Sequence, residues 1–264
     1  MQETYVVTGA SSGIGYALCC HLAKQHKHVI AIARREEDLN KLQGNSPDYI
    51  SIIVADLATT QGRNDVIQSM SKVAHISGLI NNAATVGQID HLEHLSLEIW
   101  QQQCAINLDA PIFLTQALIS RLQNGGRIIN MTTGTTSFIV SGIAGYAITK
   151  SALNTFTKYL SAELKSKNIL VTGAHPGIVD TGLAAQVRHH PNQDLGIAQA
   201  NKRFKLEEKY IDVEITAKFL SWLLLSADKS LYTGDIIGIY NQKYQLLWHD
   251  KLIPSPYPNH IDPP

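Results

Sequence analysis

Residues 4–24 read TYVVTGASSGIGYALCCHLAK, a strand-like run followed by a glycine-rich turn and then by a helix-like segment of small and apolar residues. Glycine at position 9 permits a tight turn, while glycines at positions 13 and 15 let backbone and helix approach a pyrophosphate. This order of elements is typical of a dinucleotide site, although the spacing differs from the commonest pattern and a plain strand-to-helix connection is the alternative. The residues predicted to contact the cofactor are Gly9, Ser11, Ser12, Gly13, Ile14 and Gly15.

The rest of the chain continues the alternation. Seven strands are predicted from short β-branched runs at residues 4–8, 29–33, 49–55, 78–81, 127–132, 169–174 and 235–240. Helical periodicity occurs between them, among other places at residues 13–25, 96–122, 146–166 and 212–225. The pattern predicts an α/β protein with a single Rossmann-type, doubly wound parallel sheet of seven strands and helices on both faces.

Composition shifts indicate how the chain is divided. Nothing between residues 1 and 252 resembles a linker, so one nucleotide-binding domain is predicted over that range. Residues 182–210 are polar and long for a connection, and we expect them to form a substrate lid above the carboxyl ends of the strands. Residues 253–264 form a Pro-rich tail, which we expect either to be a flexible end or to pack against a partner subunit.

Overall composition favours a small-molecule ligand. The 22 basic and 22 acidic side chains cancel, which removes the usual electrostatic reason for binding nucleic acid or anionic lipid. The sequence lacks a secretion signal and a membrane-spanning run, so a cytoplasmic protein is expected. Three cysteines, two of them adjacent, suit neither a disulfide framework nor a zinc site. His91 and His94 have helical spacing but no third ligand nearby, and no metal is predicted.

The end of the second predicted strand carries Arg34 and Arg35. An acidic residue there would bond the ribose 2′-hydroxyl of NAD but would repel a 2′-phosphate. Because a guanidinium matches the geometry of a phosphate, we predict NADP(H) as the cofactor, with Arg34 the main contact and Arg35 the secondary one. A solvated helix start is the alternative interpretation.

Tyr146 and Lys150 stand four residues apart at the start of a helical segment, so their side chains share one face. A phenol has an unperturbed pKa of about 10. We expect a nearby ammonium and an oxidised nicotinamide to lower that pKa, so that Tyr146 exchanges a proton with a substrate oxygen. Surface helices carry such pairs by chance, and the surrounding motifs are needed to support this interpretation.

Further motifs occur in a fixed order. Thr133 ends a predicted strand and could bond a substrate carbonyl, while Asn107 interrupts a helical run. The complete set consists of residues 8–15, Asp56-Leu57, Asn81-Asn82-Ala83-Ala84, Asn107, Thr133, Tyr146 with Lys150, and Pro176-Gly177 followed by Thr181. Together these motifs resemble the short-chain dehydrogenase/reductase family over nearly the whole chain.

That resemblance implies roles for individual residues. Asn107, Thr133, Tyr146 and Lys150 would form a catalytic tetrad, with Lys150 also holding the nicotinamide ribose and Asn107 supporting a water-mediated proton path. The further residues implied to lie at the cofactor are Asp56, Leu57, Asn81, Ala83, Pro176, Gly177, Ile178 and Thr181. Family membership also implies a homodimer or homotetramer, formed through the helices at residues 96–122 and 146–166.

The sequence departs from the family pattern at two positions. Thr133 replaces the usual serine, which keeps the hydroxyl but restricts its rotamer. Ala84 replaces a usual glycine, and we expect it to have a negative φ or to cause a small local adjustment.

The C-terminal third resembles the sepiapterin reductase and benzil reductase branch of the family at residues 176–181, 186–188, 203–205 and 234–241. Sepiapterin reductases carry an acidic residue near the end of the last strand. The matching position in this sequence is Asn241, or Gly238 if the acidic residue stands earlier in the chain. We therefore expect NADPH-dependent reduction of a ketone or vicinal diketone rather than of a pterin. The alternatives are a general reductase of oxoacyl, sugar or steroid-like substrates and a non-catalytic NADP-binding regulator.

Overall fold

Seven parallel strands form one sheet in the structure, a computed structural model that describes residues 2–257 apart from the side chain of Gln123. The strands are β1 (Thr4–Thr8), β2 (His28–Ala33), β3 (Ile50–Val54), β4 (Ile76–Asn81), β5 (Leu122–Met131), β6 (Leu170–His175) and β7 (Thr233–Gly238). Their order is β3-β2-β1-β4-β5-β6-β7, so the order reverses between β1 and β4. The predicted Rossmann-type α/β fold is confirmed, and the reversal is where such sheets bind ligands.

Helices cover both faces of the sheet. They are α1 (Gly13–Lys24), α2 (Glu36–Gly44), α3 (Thr60–Ser69), α4 (Leu97–Cys104), α5 (Ala110–Leu118), α6 (Ala144–Leu164), α7 (Gly182–Arg188), α8 (Gly196–Leu206), α9 (Val213–Leu225) and α10 (Gln242–Gln245). Tyr5 and Val7 of β1 face a core formed with α1 and α9, whereas Val6 faces a second core formed with α3, α5 and α6. This alternation of apolar side chains buries β1 on both faces.

Most predicted elements agree with the structure to within about two residues, and two differences are larger. The helix predicted at residues 96–122 is divided into α4 and α5 by a π-helical turn at Ala105–Asp109. Strand β5 begins at Leu122, five residues before the predicted start, because Leu122 pairs with Ile76 of β4 across an irregular register. Strand propensity is low for the glycines at positions 125 and 126, so only tertiary pairing reveals this part of the strand.

The chain beyond β7 folds back towards the carboxyl end of the sheet. Gln245 is fully buried and donates a hydrogen bond to the carbonyl of Ile253, while its own amide oxygen accepts one from the Ile253 N–H. The ring of Tyr257 then packs against His175 of β6. Residues 253–257 thus contact the body of their own chain, and the expectation that the tail is a flexible end or packs against a partner subunit stays a prediction. Residues 258–264 lie outside the described residues.

Within residues 2–257, no helix combines the length and the apolar character needed to cross a lipid bilayer. The same residues contain no group of three or more histidine, cysteine or acidic side chains placed to hold a metal ion. His94 instead lies 3.2 Å from a carboxylate oxygen of Asp90.

Candidate active site

A cleft of about 600 Å³ opens at the carboxyl ends of the strands. One end is lined by the glycine-rich turn after β1 and by the residues that follow β2 and β3. We call it the nucleotide-like end, because its lining is typical of a nucleotide site. Its other end is lined by α7, α8 and aromatic side chains from separate parts of the chain. Tyr146 and Lys150 line the cleft together with the glycine-rich turn. The residues that the motifs single out therefore share one cavity.

The glycine-rich turn forms a cradle that side chains would fill. Gly9 has a φ of +68°, and a Cβ atom there would lie 2.8 Å from the Cα of Ala83. A Cβ atom on Gly15 would overlap the carbonyl oxygen of Gly9. Helix α1 begins at Gly13, and its N-cap residue Ser12 makes no side-chain capping hydrogen bond. The first N–H groups of the helix are thus left for an anion, so the turn fits the pyrophosphate of a dinucleotide.

Asn82 holds this turn in place, a role that sequence reasoning missed. Its side-chain amide donates to the carbonyl of Thr8 over 2.9 Å. The Thr8 hydroxyl in turn accepts hydrogen bonds from the backbone N–H groups of Asn82 and Ala83, each at 3.0 Å. A polar residue directly after a buried strand was the available indication in the sequence.

Asn81 does not reach the cleft, which corrects one prediction. Its side chain is buried and donates to Asn130 Oδ1 over 2.8 Å and to Thr115 Oγ1 over 3.2 Å. Asn81 is the last residue of β4, and side chains along a strand point to opposite faces, so the residues after it lie at the cleft instead. Ala83 and Ala84 line the cleft, and Ala84 has no positive φ, as predicted.

Arg34 and Arg35 both line the nucleotide-like end of the cleft, directly after β2. Arg35 donates to the Ser11 hydroxyl of the glycine-rich turn over 3.0 Å and pairs with Asp38 over 3.0 Å. Arg34 is mostly exposed and lies 3.9 Å from a carboxylate oxygen of Asp56. Neither pairing is buried, so both guanidinium groups can turn towards a phosphate at small cost.

Tyr146 and Lys150 lie one turn apart near the start of α6 and are both buried. The Lys150 ammonium donates a hydrogen bond to the carbonyl of Met131 over 2.8 Å and lies 5.9 Å from the centre of the Tyr146 ring. The Thr133 hydroxyl lies near enough to the Tyr146 phenol to affect its pKa, and it accepts a hydrogen bond from the Thr135 N–H over 3.3 Å. Three of the four predicted tetrad residues are therefore together in the cleft.

The protonation of this group differs from the sequence expectation. Burial raises the pKa of Tyr146 to about 12, although the nearby Thr133 hydroxyl acts in the opposite direction. Burial lowers the pKa of Lys150 to about 8. We expected the ammonium to lower the pKa of the phenol, but within the chain alone desolvation is the larger effect. The phenol consequently stays protonated at neutral pH, which is the form that can donate a proton.

Asn107 is the fourth predicted tetrad residue, and its side chain lies outside the cleft wall. It is fully buried in the π-helical turn. Its amide oxygen accepts from the Thr85 N–H, and its amide nitrogen donates to the Thr85 carbonyl, both over 2.9 Å. A further hydrogen bond of 3.0 Å reaches Thr149, whose hydroxyl donates to the carbonyl of Tyr146. The side chain of Asn107 thus joins the loop after β4 to α6.

The other predicted cofactor residues are distributed along the same cleft. Those that line it are Asp56, Leu57, Pro176, Gly177, Ile178 and Thr181. The Thr181 hydroxyl accepts from the Ala184 N–H as the cap of α7, and its methyl group faces Gly13 of the glycine-rich turn. The Ile178 N–H donates to the Tyr240 hydroxyl, and the Ile178 carbonyl accepts from Ile211. The Ile178 N–H therefore already has a partner, whereas its carbonyl oxygen can accept a second hydrogen bond.

The far end of the cleft is mainly apolar. Its lining there comprises Phe138, Ile143, Leu183, Val187, Ile197, Phe204 and Tyr257, with His175 beside them. Phe138, His175 and Tyr257 were not identified from the sequence, because they come from three distant segments without a shared motif. Asn241, which aligns with the acid of sepiapterin reductases, caps α10 and does not line the cleft.

Comparisons with known proteins agree with this geometry. Benzil reductase ((S)-benzoin forming) of Bacillus cereus is 31% identical over 245 residues, which cover 89% of this chain and 98% of the relative. A Saccharomyces cerevisiae short chain dehydrogenase/reductase has a similar structure, with a TM-score of 0.85, 20% identity, and coverage of 94% of this chain and 99% of that one. L-sorbose reductase of Gluconobacter frateurii, solved with NADPH and L-sorbose, has a TM-score of 0.77, 25% identity, and coverage of 90% and 94%.

A family model for short chain dehydrogenases matches residues 3–192, which include the glycine-rich turn, Tyr146 and Lys150. Because this match spans more than half of the chain, the protein belongs to the short chain dehydrogenase family and is an oxidoreductase that acts on carbonyl or hydroxyl groups.

Proposed function

We propose that the protein is an NADPH-dependent carbonyl reductase in which Tyr146 gives a proton to the oxygen of a ketone or vicinal diketone. The observation that carries this proposal is the buried phenol of Tyr146, which lies with Thr133 and Lys150 in the same cleft as the glycine-rich turn. A pKa raised to about 12 keeps that proton on the phenol until a substrate oxygen gains negative charge.

NADP(H) is the proposed cofactor. The uncapped start of α1 supports pyrophosphate binding, and Arg34 and Arg35 at the end of β2 support recognition of a 2′-phosphate. Asp56 lies close to Arg34, so the guanidinium also reduces the repulsion between this carboxylate and the phosphate. Two proteins of similar structure also support this proposal, L-sorbose reductase solved with NADPH and a Burkholderia cenocepacia short chain dehydrogenase solved with NADP.

When bound, NADPH would supply the hydride that reaches the carbonyl carbon. Thr133 and Tyr146 would bond the carbonyl oxygen and so hold the substrate in one orientation. Tyr146 would transfer its proton to that oxygen as negative charge develops there, and it would regain a proton from solvent afterwards. The ammonium of Lys150, held by the Met131 carbonyl, would stabilise the transient phenolate.

A vicinal diketone is the proposed substrate type. The Bacillus cereus relative is named a benzil reductase, and benzil is a vicinal diketone with two phenyl groups. Of the described residues that line the cleft, Asp56 is the sole acid, and it lies beside Arg34 at the nucleotide-like end. An uncharged apolar end suits an uncharged ketone and offers no carboxylate to anchor a pterin.

We also propose a lid and an oligomer. Helices α7 and α8 lie within residues 182–210 and supply Leu183, Val187 and Phe204 to the cleft, which supports the predicted role of that segment as a substrate lid. Exposed apolar side chains on α5 and α6 support the predicted homodimer or homotetramer.

Consumption of NADPH and NADH with diacetyl, benzil, sepiapterin and an oxoacyl thioester tests the function. We expect NADPH to be preferred and a diketone to be the best substrate. The Tyr146→Phe variant should lose at least about 100-fold in kcat while its affinity for NADPH is retained, because only the proton donor is removed. Tyr159→Phe is the matched control, since Tyr159 is an exposed tyrosine on the same helix.

Three results would contradict the proposal in different ways. A preference for NADH would reject the role of the two arginines, and a preference for the thioester would indicate a general reductase. NADPH binding without turnover of any carbonyl compound would indicate a regulator.

A further inference from the structure

Tyr257 lies at the centre of an aromatic cluster at the far end of the cleft. Its ring centre is 5.8 Å from that of Phe138, 6.0 Å from Tyr240, 6.1 Å from His175 and 6.4 Å from Phe204. These separations lie in the range of attractive edge-to-face and tilted aromatic pairs. Tyr257 itself lines the cleft, so one side of this cluster faces the substrate space.

The position of Tyr257 is fixed by the segment that precedes it. Gln245 makes two hydrogen bonds of 3.0 Å with the backbone of Ile253 and a third of 2.8 Å with the carbonyl of Ile239. Prolines at positions 254 and 256 then restrict the backbone between this anchor and the ring. The hydrogen bonds of Gln245 and the two prolines therefore fix the ring of Tyr257 at the cleft.

Gly134 provides the space into which the tyrosine reaches. A Cβ atom at position 134 would lie 2.6 Å from the Tyr257 hydroxyl oxygen, which is too close for a real side chain, and 3.0 Å from Nε2 of His175, which is a tight contact. Gly134 directly follows Thr133, which lines the cleft together with Tyr146. The ring of Tyr257 consequently lies beside the group that we propose binds the carbonyl.

The wall around Tyr257 carries no charge at neutral pH. His175 is 2% exposed, and burial lowers its pKa to about 4. Its Nδ1 accepts a hydrogen bond from the Gly177 N–H, which places the proton of the neutral ring on Nε2. Phe138 and Phe204 complete the wall with hydrocarbon rings. A flat and uncharged group is what this surface can bind most favourably.

We propose that Tyr257 is a specificity-determining residue whose ring receives an aryl group of the substrate, so that aryl ketones and aryl diketones are preferred over alkyl ones. This inference rests on the proposed carbonyl reductase function and adds the substrate class that the cleft selects.

The test compares acetylbenzoyl with diacetyl, two diketones that differ by a phenyl group in place of a methyl group. In the full-length Tyr257→Ala variant, we expect the ratio of kcat/KM for acetylbenzoyl to that for diacetyl to fall by about tenfold, mainly through KM, because an aromatic contact is lost. Tyr257→Phe should keep the ratio, since it keeps the ring. Leu252→Ala is the matched control, an exposed apolar residue of the same terminal segment that does not line the cleft.

A binding measurement makes the test independent of turnover. Isothermal titration calorimetry with benzil, with saturating NADP⁺ present, reports the dissociation constant for an aryl ligand. Tyr257→Ala should raise that constant about tenfold and leave the constant for NADP⁺ unchanged.

An unchanged ratio in Tyr257→Ala, or an equal loss for both diketones, would overturn the inference and reduce Tyr257 to a structural role. If the wild-type protein reduces neither diketone, the proposed function fails, and the benzil titration still decides whether Tyr257 binds an aryl group.

Discussion

Burial affects the pKa values of the titratable side chains in this cleft more than neighbouring charges do. Desolvation raises the pKa of Tyr146 and lowers the pKa of Lys150 and His175. Each group is thereby driven towards its neutral form. A cleft lined by neutral groups can accept uncharged ligands. Because these pKa values change on folding, the free energy of unfolding must depend on pH.

We predict that His175 makes the protein less stable in acid. Its pKa is lowered from 6.5 to about 4 on folding, so the unfolded chain binds more protons between these values, and stability rises with pH through that window. The shift corresponds to about 3 kcal/mol of unfolding free energy lost between pH 6.5 and pH 4.

Urea unfolding of the wild type and of His175→Asn across that pH range measures the effect. The asparagine keeps an acceptor for the Gly177 N–H but cannot be protonated, so its curve should be flatter than that of the wild type. Parallel curves would show that His175 is protonated in the folded state without cost.

Sequence motifs identified those cleft residues whose positions depend on the neighbouring sequence. Tyr146, Lys150 and Thr133 were all placed correctly at the cleft, because helical spacing and a strand end determine where such side chains point. Asn81 ends β4 as predicted, but its side chain points away from the cleft to Asn130 and Thr115, and the motif alone does not show which face of the sheet that side chain takes. Tyr257 was missed altogether, because only tertiary packing brings it to the cleft.

Helices and strands position the site through a few buried bonds between elements. The π-helical turn between α4 and α5 turns the side chain of Asn107 towards Thr85 and Thr149. Such turns occur frequently at functional sites, where an altered helical repeat redirects one side chain. The junction links the loop after β4 to the helix that carries Tyr146.

We predict that Asn107→Ala lowers the unfolding free energy by about 2–4 kcal/mol, because three hydrogen bonds are lost and both backbone groups of Thr85 lose their partner. Thr149→Val is the comparison, since it removes one of these bonds together with the bond from the Thr149 hydroxyl to the Tyr146 carbonyl, and it should cost about 1–2 kcal/mol. Chemical denaturation measures both. A cost for Asn107→Ala no larger than that for Thr149→Val would show that the backbone of Thr85 finds other partners.

Element types could be predicted from the sequence more completely than element ends. Alternating strand-like and helical periodicity correctly predicts all seven strands of the sheet. It also predicts four helical segments that correspond to α1, α4 with α5, α6 and α9. The break at Ala105–Asp109 and the early start of β5 at Leu122 could not be predicted, because each depends on contacts with distant residues. Local propensity does not contain that information.

At the scale of the molecule, the outer surface of α5 and α6 remains apolar in places. Ile148 and Tyr159 lie on one face of α6 and are 50% and 69% exposed, and Phe113 of α5 is 47% exposed. Apolar side chains grouped in this way favour burial against another protein surface. This observation supports the homo-oligomer expected from the family resemblance.

We predict that the double variant Ile148→Glu with Tyr159→Glu dissociates the oligomer, because two buried carboxylates would face the same surface of the partner. Sedimentation velocity should show a smaller species, whereas Leu206→Glu, an exposed position on α8, should leave the mass unchanged. An unchanged mass in the double variant would place the subunit contact elsewhere or indicate a monomer.

One glycine has a consequence for how this protein changes over evolutionary time. Position 134 must lack a methyl group for the Tyr257 ring to keep its place, and the neighbouring His175 ring is held by Gly177 and cannot move aside as easily. A single base change converts a glycine codon into an alanine codon. We expect one such event to shift the ring while Tyr146 and Lys150 stay in place, so that, if the proposed role of Tyr257 holds, a new substrate range lies one mutation away.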